Sequence, residues 1–222
     1  MMFCLILPIN RSEIKILYHN ILLSLLRYNY NMPSTTSKQL LGQFITSLSV
    51  KQPTPGGGAA AAIGGAIGGA AAQMAAAYSK RKKDKESGAA SKAEQLISSI
   101  DLEKYLQAAD DDAVAYADLQ RTWKDESMSP EEKEKIETQA LAVPTNLLEM
   151  CHADVMSIKE FLPFCNPNIT SDAKVGIHQL AGAARAAYQT VCVNSPPDEE
   201  KLRLRGLLTE IRKIEDEILE LD

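Results

Sequence analysis

Apolar side chains recur at intervals of three and four residues along most of the chain after Met32. No run of β-branched or aromatic residues alternates with polar ones, as the strands of a half-buried sheet would. A short amphipathic helix is predicted before Pro53-Thr54-Pro55 by the spacing of Leu40, Leu41, Phe44, Ile45 and Leu48. The pattern therefore predicts an all-α fold.

Proline and capping residues indicate where the later helices begin. The segment Ser129-Pro130-Glu131-Glu132 has the capping-box pattern of a helix start, with proline at the first helical position. Pro144 falls inside the helix that follows and is expected to kink it. After the loop Asn166-Pro167-Asn168, Ser171 and Asp172 suit the positive end of a further helix.

The final helix is predicted after Pro196-Pro197. Its apolar residues form one seam, which consists of Leu204, Leu207, Ile211, Ile214, Ile218 and Leu221. The seam covers fewer than three heptads, which is short for an independent coiled coil. Docking onto the rest of the protein is therefore favoured over pairing with a second copy.

A glycine- and alanine-rich segment is the most unusual part of the chain. Residues 52–79 carry no charge, and residues 56–78 hold seven of the twelve glycines. Large side chains are too few for a membrane span, being limited to Ile63, Ile67, Met74 and Tyr78. Helix-interior glycines cost about 1 kcal/mol each relative to alanine, so those at 64–69 need a close packing contact. The segment predicts a helix that is buried on every face at the centre of a helical bundle. The same helix could also cross its own copy in a second chain, which would form a homodimer.

Composition and charge divide the chain in two. Residues 1–31 carry three basic side chains and one acidic one, whereas the whole chain has a formal net charge of -5. We interpret residues 1–31 as a poorly specified N-terminal extension and residues 32–222 as the helical domain. The acidic balance argues against nucleic-acid binding.

The cysteines and histidines form no recognisable site. Four widely spaced cysteines suggest neither a zinc cluster nor a disulfide framework, so a reducing compartment is expected. The three histidines lack the spacing of a metal site, and we expect no bound metal. We predict a cytoplasmic protein, with a mitochondrial presequence in residues 1–31 as the alternative.

Three glycines, Gly56, Gly57 and Gly58, stand where the proline-rich loop becomes the glycine- and alanine-rich helix. They remove the Cβ atoms that would keep a ligand away from the free N–H groups at the positive helix end. An anion or a polarised carbonyl would fit there. The sequence matches neither a P-loop nor a dinucleotide-binding fingerprint, and a flexible hinge is the alternative.

Asp112 is the carboxylate that helical phase singles out. It lies within a stripe of otherwise mostly apolar residues, namely Tyr105, Ala109, Tyr116, Leu119 and Trp123. Asp110 and Asp111 point in other directions. A carboxylate that faces a core needs a hydrogen bond, a cation or a ligand cavity. Asp112 is thus a candidate for catalysis, with an ion pair or the capping of a neighbouring helix as the alternatives.

Several motifs of the chain resemble the cyclodeaminase/cyclohydrolase family of folate enzymes. The specific part is the run from Pro53 to Gly58 with the small-residue helix that follows it. Supporting parts are Lys82-Lys83, the run from Asp110 to Tyr116, Val143-Pro144, Ser171-Asp172 and the residues from Val191 to Asn194. The resemblance implies a homodimeric all-α enzyme that converts 5-formiminotetrahydrofolate to 5,10-methenyltetrahydrofolate and ammonia. A methenyltetrahydrofolate cyclohydrolase is the alternative reaction.

The resemblance also implies roles for particular residues. Asp112 would shuttle protons, and the folate, with or without a polyglutamyl tail, would be the substrate, with no other cofactor. The implied substrate-binding residues are Pro55, Gly56, Gly57, Gly58, Lys82, Lys83, Ser171, Asp172 and Asn194. No membrane or nucleic-acid partner is expected. The chain departs from the family pattern at Arg81 and Thr190, which keeps a non-catalytic helical dimer scaffold as a third hypothesis.

Overall fold

The computed structural model describes residues 35–220, and these contain eight α-helices, two short 3-10 turns and no strand. The all-α prediction is confirmed. The helices are α1 (Leu41–Leu48), α2 (Gly57–Ala77), α3 (Lys82–Glu86), α4 (Ala89–Ser99), α5 (Leu102–Lys124), α6 (Pro130–Phe161), α7 (Thr170–Val193) and α8 (Asp198–Leu219). The predicted extension, residues 1–31, lies outside the described residues.

Helix α2 is the centre of the bundle and packs against α4, α5, α6 and α7. Its glycines permit these contacts. A Cβ on Gly68 would lie 3.0 Å from the carbonyl oxygen of Gly176, and a Cβ on Gly176 would lie 2.9 Å from the carbonyl oxygen of Gly68. A Cβ on Gly65 would lie 2.6 Å from the ring of Tyr105. The predicted close approach is therefore confirmed, and these glycines serve contacts between helices of one chain.

The prediction that α2 is buried on every face is wrong for a single chain. Ile67, Met74 and Tyr78 are 49%, 41% and 61% exposed, and their spacing places them on one side of the helix. The neighbouring helices of the same chain cover only the other sides of α2. We call the set Ile67, Met74 and Tyr78 the outer α2 stripe.

The predicted helix start at Ser129 and the docking of the last helix agree with the structure. Ser129 Oγ accepts a hydrogen bond from the Glu132 N–H at 3.2 Å, and the Glu132 carboxylate accepts one from the Ser129 N–H at 3.0 Å. Pro144 lies inside α6, as predicted, and the kink expected at this proline stays a prediction. Helix α8 buries Leu204 and Ile211 against α6 and α7, so docking is confirmed.

The helix directions give the bundle two distinct ends. Close contacts pair Gly58 with Asp112 and Gly65 with Tyr105, so α5 runs antiparallel to α2. Contacts of Gly64 with Ala183 and of Gly68 with Gly176 show that α7 is antiparallel to α2 as well. The end at which α2 begins is called the glycine end, and the other is called the lysine end because α3 follows there.

Among the described helices, α2 is the one long and apolar enough to cross a membrane by length and composition. Half of its most apolar window is buried inside the fold, as in the core helix of a soluble protein. This finding is weak evidence for a membrane span, since such core helices meet the same criteria.

Candidate functional site

Asp112 meets the start of α2 at the glycine end. The N-cap residue of α2 is Gly56, which has no side chain to satisfy the free N–H groups of the first turn. Asp112 supplies this missing acceptor from α5, since its Oδ2 accepts a hydrogen bond from the Ala59 N–H at 3.0 Å. The sequence alternative that Asp112 caps a neighbouring helix is therefore observed directly.

The close approach of the Asp112 carboxylate to the start of α2 depends on a glycine. A Cβ on Gly58 would lie 2.0 Å from Asp112 Oδ1, and a Cβ on Gly56 would lie 3.9 Å from Oδ2. A Cβ on Gly57 would meet nothing within 4 Å. Gly58 is thus the glycine that lets α5 place a carboxyl group directly against the end of α2.

The protonation state of Asp112 is also set by this position. Partial burial raises the pKa of its carboxyl group, and the hydrogen bond from the Ala59 N–H opposes that rise. In the described part of the chain, no lysine or arginine forms an ion pair with Asp112. A carboxyl group with a raised pKa and partial access to solvent can both accept and donate protons.

The structure brings some of the other candidate residues to the same end. Pro55 is buried beside Gly56, and the Thr54–Pro55 peptide is cis. Asn194 follows the last turn of α7, where its Nδ2 donates hydrogen bonds to the carbonyl oxygens of Ala140 and Thr190. Asn194 therefore lies at the glycine end, although its amide is occupied by backbone partners.

Four candidate residues lie at the lysine end instead. Lys82 and Lys83 are exposed in the first turn of α3, and Ser171 and Asp172 are in the first turn of α7. The 21 residues of α2 separate this end from Asp112 by about 30 Å. Within one chain the structure does not bring these four residues together with the carboxyl group of Asp112.

Arg81, where the chain departs from the family pattern, is part of a structural contact. Its guanidinium donates hydrogen bonds to the Asp84 carboxylate and to Asn166 Oδ1. Asn166 Nδ2 in turn donates to the carbonyl oxygen of Tyr78. The guanidinium of Arg81 holds the pKa of Asp84 below its usual value. Arg81 thus ties the end of α2 to the loop before α7.

Comparison with known proteins identifies the family of the chain. A family model described as formiminotransferase-cyclodeaminase matches residues 40–213. The chain belongs to this family. The crystal structure of formiminotetrahydrofolate cyclodeaminase from Thermotoga maritima superposes with a TM-score of 0.71 and 21% identity, and the match covers 82% of this chain and 96% of that chain. At this identity the likeness shows a common fold. A search of curated proteins found no match.

The formiminotransferase-cyclodeaminase match includes every residue placed at the glycine end. It begins just before α1 and extends into α8, so it also includes Lys82, Lys83, Ser171 and Asp172. The resemblance inferred from the Pro53–Gly58 run is thereby confirmed at the level of the family. The roles of the individual residues stay predictions.

A buried polar cluster in the core was not foreseen from the sequence. Tyr105 donates its hydroxyl hydrogen to Asp154 Oδ2 at 2.6 Å, and both residues are buried between α5 and α6. Burial raises the pKa of Asp154 to about 6 and that of the neighbouring Cys151 thiol to about 12. The spacing of α6 places Asp154 on the same face as Leu147, Cys151 and Ile158, and this is the signal that could have identified it.

Asp154 is expected to make stability depend on pH. Its folded pKa of about 6 exceeds the unfolded value of about 4, so its stabilising contribution is present below about pH 4 and is lost as the pH rises through 6. We predict that Asp154→Asn, whose amide oxygen still accepts from Tyr105, removes about 2 kcal/mol of the pH dependence between pH 4.5 and pH 7.5. Urea unfolding at pH 4.5 and pH 7.5 would measure it, with exposed Asp111→Asn as control. Equal pH slopes in the wild type and Asp154→Asn would contradict the prediction.

The outer half of α5 is more exposed than the stripe pattern predicts. Tyr105 and Ala109 are buried, whereas Tyr116 and Trp123 are exposed. The reason is that α2 begins opposite Asp112, so no part of α2 covers α5 beyond that point. A groove of about 370 Å³ lies between α5 and α6, and it is lined by Asp111 rather than Asp112.

No group of three or more histidine, cysteine, aspartate or glutamate side chains among residues 35–220 could hold a metal ion. His152 instead pairs with Glu210, and His178 pairs with Glu215. Both histidines thus link α8 to the helices beneath it.

Proposed function

We propose that the protein is a folate one-carbon enzyme that cyclises 5-formiminotetrahydrofolate to 5,10-methenyltetrahydrofolate and ammonia. The observation that carries this proposal is the carboxyl group of Asp112 held against the first turn of α2, in a chain of the formiminotransferase-cyclodeaminase family. Membership of the family supports a folate reaction, and the position of Asp112 supplies the proton-transfer group that such a reaction needs.

The reaction needs one proton acceptor that later becomes a donor. The formimino group reacts as its protonated amidinium form: folate N10 attacks the formimino carbon, a bond forms between them, and the ring closes. Asp112 takes the proton from N10 and gives it to the exocyclic nitrogen as the bond from carbon to that nitrogen breaks and ammonia leaves. A raised pKa suits a carboxyl group to both steps. No oxidation state changes, so the proposed reaction needs no cofactor besides the folate.

The start of α2 would orient the substrate. Asp112 accepts from the Ala59 N–H, which leaves the N–H groups of Gly57 and Gly58 at a positive helix end without a Cβ on either residue. In the proposed complex these groups hold the carbonyl oxygen of the pterin. Lys82 and Lys83 lie so far away that, within one chain, only a long polyglutamyl tail would reach them.

The direct test is incubation of the full chain with 5-formiminotetrahydrofolate. The cyclodeaminase proposal requires a rise in methenyl absorbance together with release of ammonia. If the chain instead consumes added methenyltetrahydrofolate without ammonia, it is a cyclohydrolase. A non-catalytic scaffold would show neither activity and no folate-induced stabilisation, whereas a ligand at a hundred times its Kd adds about 2.7 kcal/mol to the folded state.

The outer α2 stripe supports a homodimer as part of this proposal. Ile67, Met74 and Tyr78 expose large apolar side chains on a helix without charges, and a second copy of the chain would bury them. We predict that Met74→Lys converts a dimer to a monomer in sedimentation velocity at micromolar concentration, because burying an unpaired ammonium group is costly. Leu202→Lys, at an apolar position on α8 that is still more exposed than Met74, is the control. A wild-type monomer at this concentration would contradict the proposal.

We also propose that the enzyme acts in the cytoplasm.

A further inference from the structure

Two exposed aromatic side chains lie on the same face of α5 as Asp112. Tyr116 follows Asp112 by four residues and is 37% exposed, and Trp123 follows it by eleven and is 65% exposed. Their ring centroids are 6.4 Å apart with an interplanar angle of 82°, which is an edge-to-face contact. The pair forms a continuous aromatic surface that starts next to the candidate catalytic carboxyl group.

The surface is open because of where α2 begins. Gly58 is opposite Asp112, and the chain before Gly57 leaves the helix axis of α2 through the Pro53–Pro55 loop. Toward the lysine end, the same face of α5 is covered by α2 and buries Tyr105 and Ala109. Asp112 therefore marks the boundary between a packed half and an open half of one helical face.

On the basis of the proposed function, we infer that Tyr116 binds the p-aminobenzoyl ring of the folate and that Trp123 holds the ring of Tyr116 in place. This aryl ring is bonded directly to N10, the nitrogen whose proton Asp112 would take. A carboxylate at a hydrogen-bond distance of about 3 Å from N10 therefore has the aryl ring just beyond that nitrogen. Four residues of α5, a rise of about 6 Å along the helix axis, separate Asp112 from Tyr116 and supply this spacing.

Trp123 has a different part in this arrangement. Eleven residues along α5 place it about 16 Å from Asp112, which is too far for direct contact with a ring attached to N10. Its edge-to-face contact restricts the rotation of Tyr116 and keeps one face of that ring toward the substrate. Because Trp123 is the single tryptophan of the sequence, its fluorescence reports on this surface alone.

The test uses 5-formyltetrahydrofolate, a stable folate, and p-aminobenzoylglutamate, which carries the aryl ring without the pterin. Each ligand, added to the full-length protein, is expected to change the fluorescence of Trp123 until its binding site is saturated. Tyr116→Ala should raise the calorimetric Kd of each ligand about 3- to 10-fold, since a lost aromatic pair contact has that effect. Tyr116→Phe keeps the ring face and should bind within about twofold of the wild type. Phe164→Ala, which removes a similarly exposed aromatic side chain just before the loop that precedes α7 at the lysine end, is the matched control.

The outcomes separate this inference from the proposed function. Wild-type binding and cyclisation with an unchanged Kd in Tyr116→Ala would overturn the aryl site alone. Wild-type binding that Tyr116→Ala weakens, without any cyclisation, would overturn the proposed reaction and keep the aryl site. Absence of folate binding by the wild type would overturn both. If fluorescence changes with protein concentration and Tyr116→Ala lowers the sedimenting mass, the surface is a subunit contact and the inference is wrong.

Discussion

Asp112→Asn is expected to lower turnover of 5-formiminotetrahydrofolate by about 10²- to 10⁴-fold while the protein stays folded. Asparagine keeps an oxygen that can accept the hydrogen bond from the Ala59 N–H, so the first turn of α2 remains capped. It cannot take a proton from N10 or return one to the leaving nitrogen. The rate of methenyl formation at saturating substrate measures the effect, and the melting temperature checks the fold.

Asp111→Asn is the matched control for this variant. Asp111 is adjacent in sequence, is exposed, and accepts a hydrogen bond from Gln107 Nε2 at 2.8 Å. Its side chain lines the groove between α5 and α6 rather than the start of α2. A loss of turnover in Asp111→Asn with none in Asp112→Asn would move the reaction to that groove. Unfolding of Asp112→Asn would show that the carboxyl group has a structural role.

The kinetic constants separate proton transfer from substrate anchoring. If Asp112 acts as the proton shuttle, Asp112→Asn lowers kcat while the folate Kd changes little. If the carboxyl group only holds the folate, the variant raises KM with kcat unchanged. The same protein sample gives both answers, since calorimetry with 5-formyltetrahydrofolate does not depend on turnover.

The central part of the fold could be predicted because local chemistry allowed few alternatives. A charge-free helix with several interior glycines is unfavourable unless neighbouring backbones come close, and the contact between Gly68 and Gly176 is such an approach. Ser129 and Glu132 signalled a helix start through hydrogen bonds that depend only on neighbours in sequence. The position of Asp112 on the face toward α2 followed from helical phase.

Features that depend on distant elements could not be predicted in the same way. Helical phase placed Tyr116 and Trp123 on the face of Asp112, but their exposure depends on where α2 begins beside them. The hydrogen bond between Tyr105 and Asp154 joins residues 49 positions apart, and no local pattern pairs them. Lys82 and Lys83 follow α2 directly in sequence, yet the length of that helix separates them from Asp112.

Gly58→Ala tests whether the position of the Asp112 carboxyl group matters, without changing that group itself. The new Cβ would lie 2.0 Å from Asp112 Oδ1 and 2.6 Å from its Cγ, so the carboxyl group must rotate away and lose the hydrogen bond from Ala59. Alanine favours the helix by up to about 1 kcal/mol, which offsets part of the lost hydrogen bond, so stability should change little. Turnover is expected to fall about 10²-fold, because displacement of a catalytic group by about 1 Å can have an effect of that size.

Gly57→Ala is the control that shows whether the effect of Gly58→Ala comes from the contact of the new Cβ with Asp112. A Cβ at Gly57 would meet nothing within 4 Å, although this residue is also in the first turn of α2 and undergoes the same chemical change. It should therefore retain nearly the activity of the wild type, and thermal unfolding should show both variants folded. Full activity in Gly58→Ala would mean that the reaction does not need the carboxyl group at the start of α2. Equal losses of turnover in the two variants would instead show that the effect comes from replacing any glycine in the first turn of α2, because only Gly58→Ala displaces Asp112.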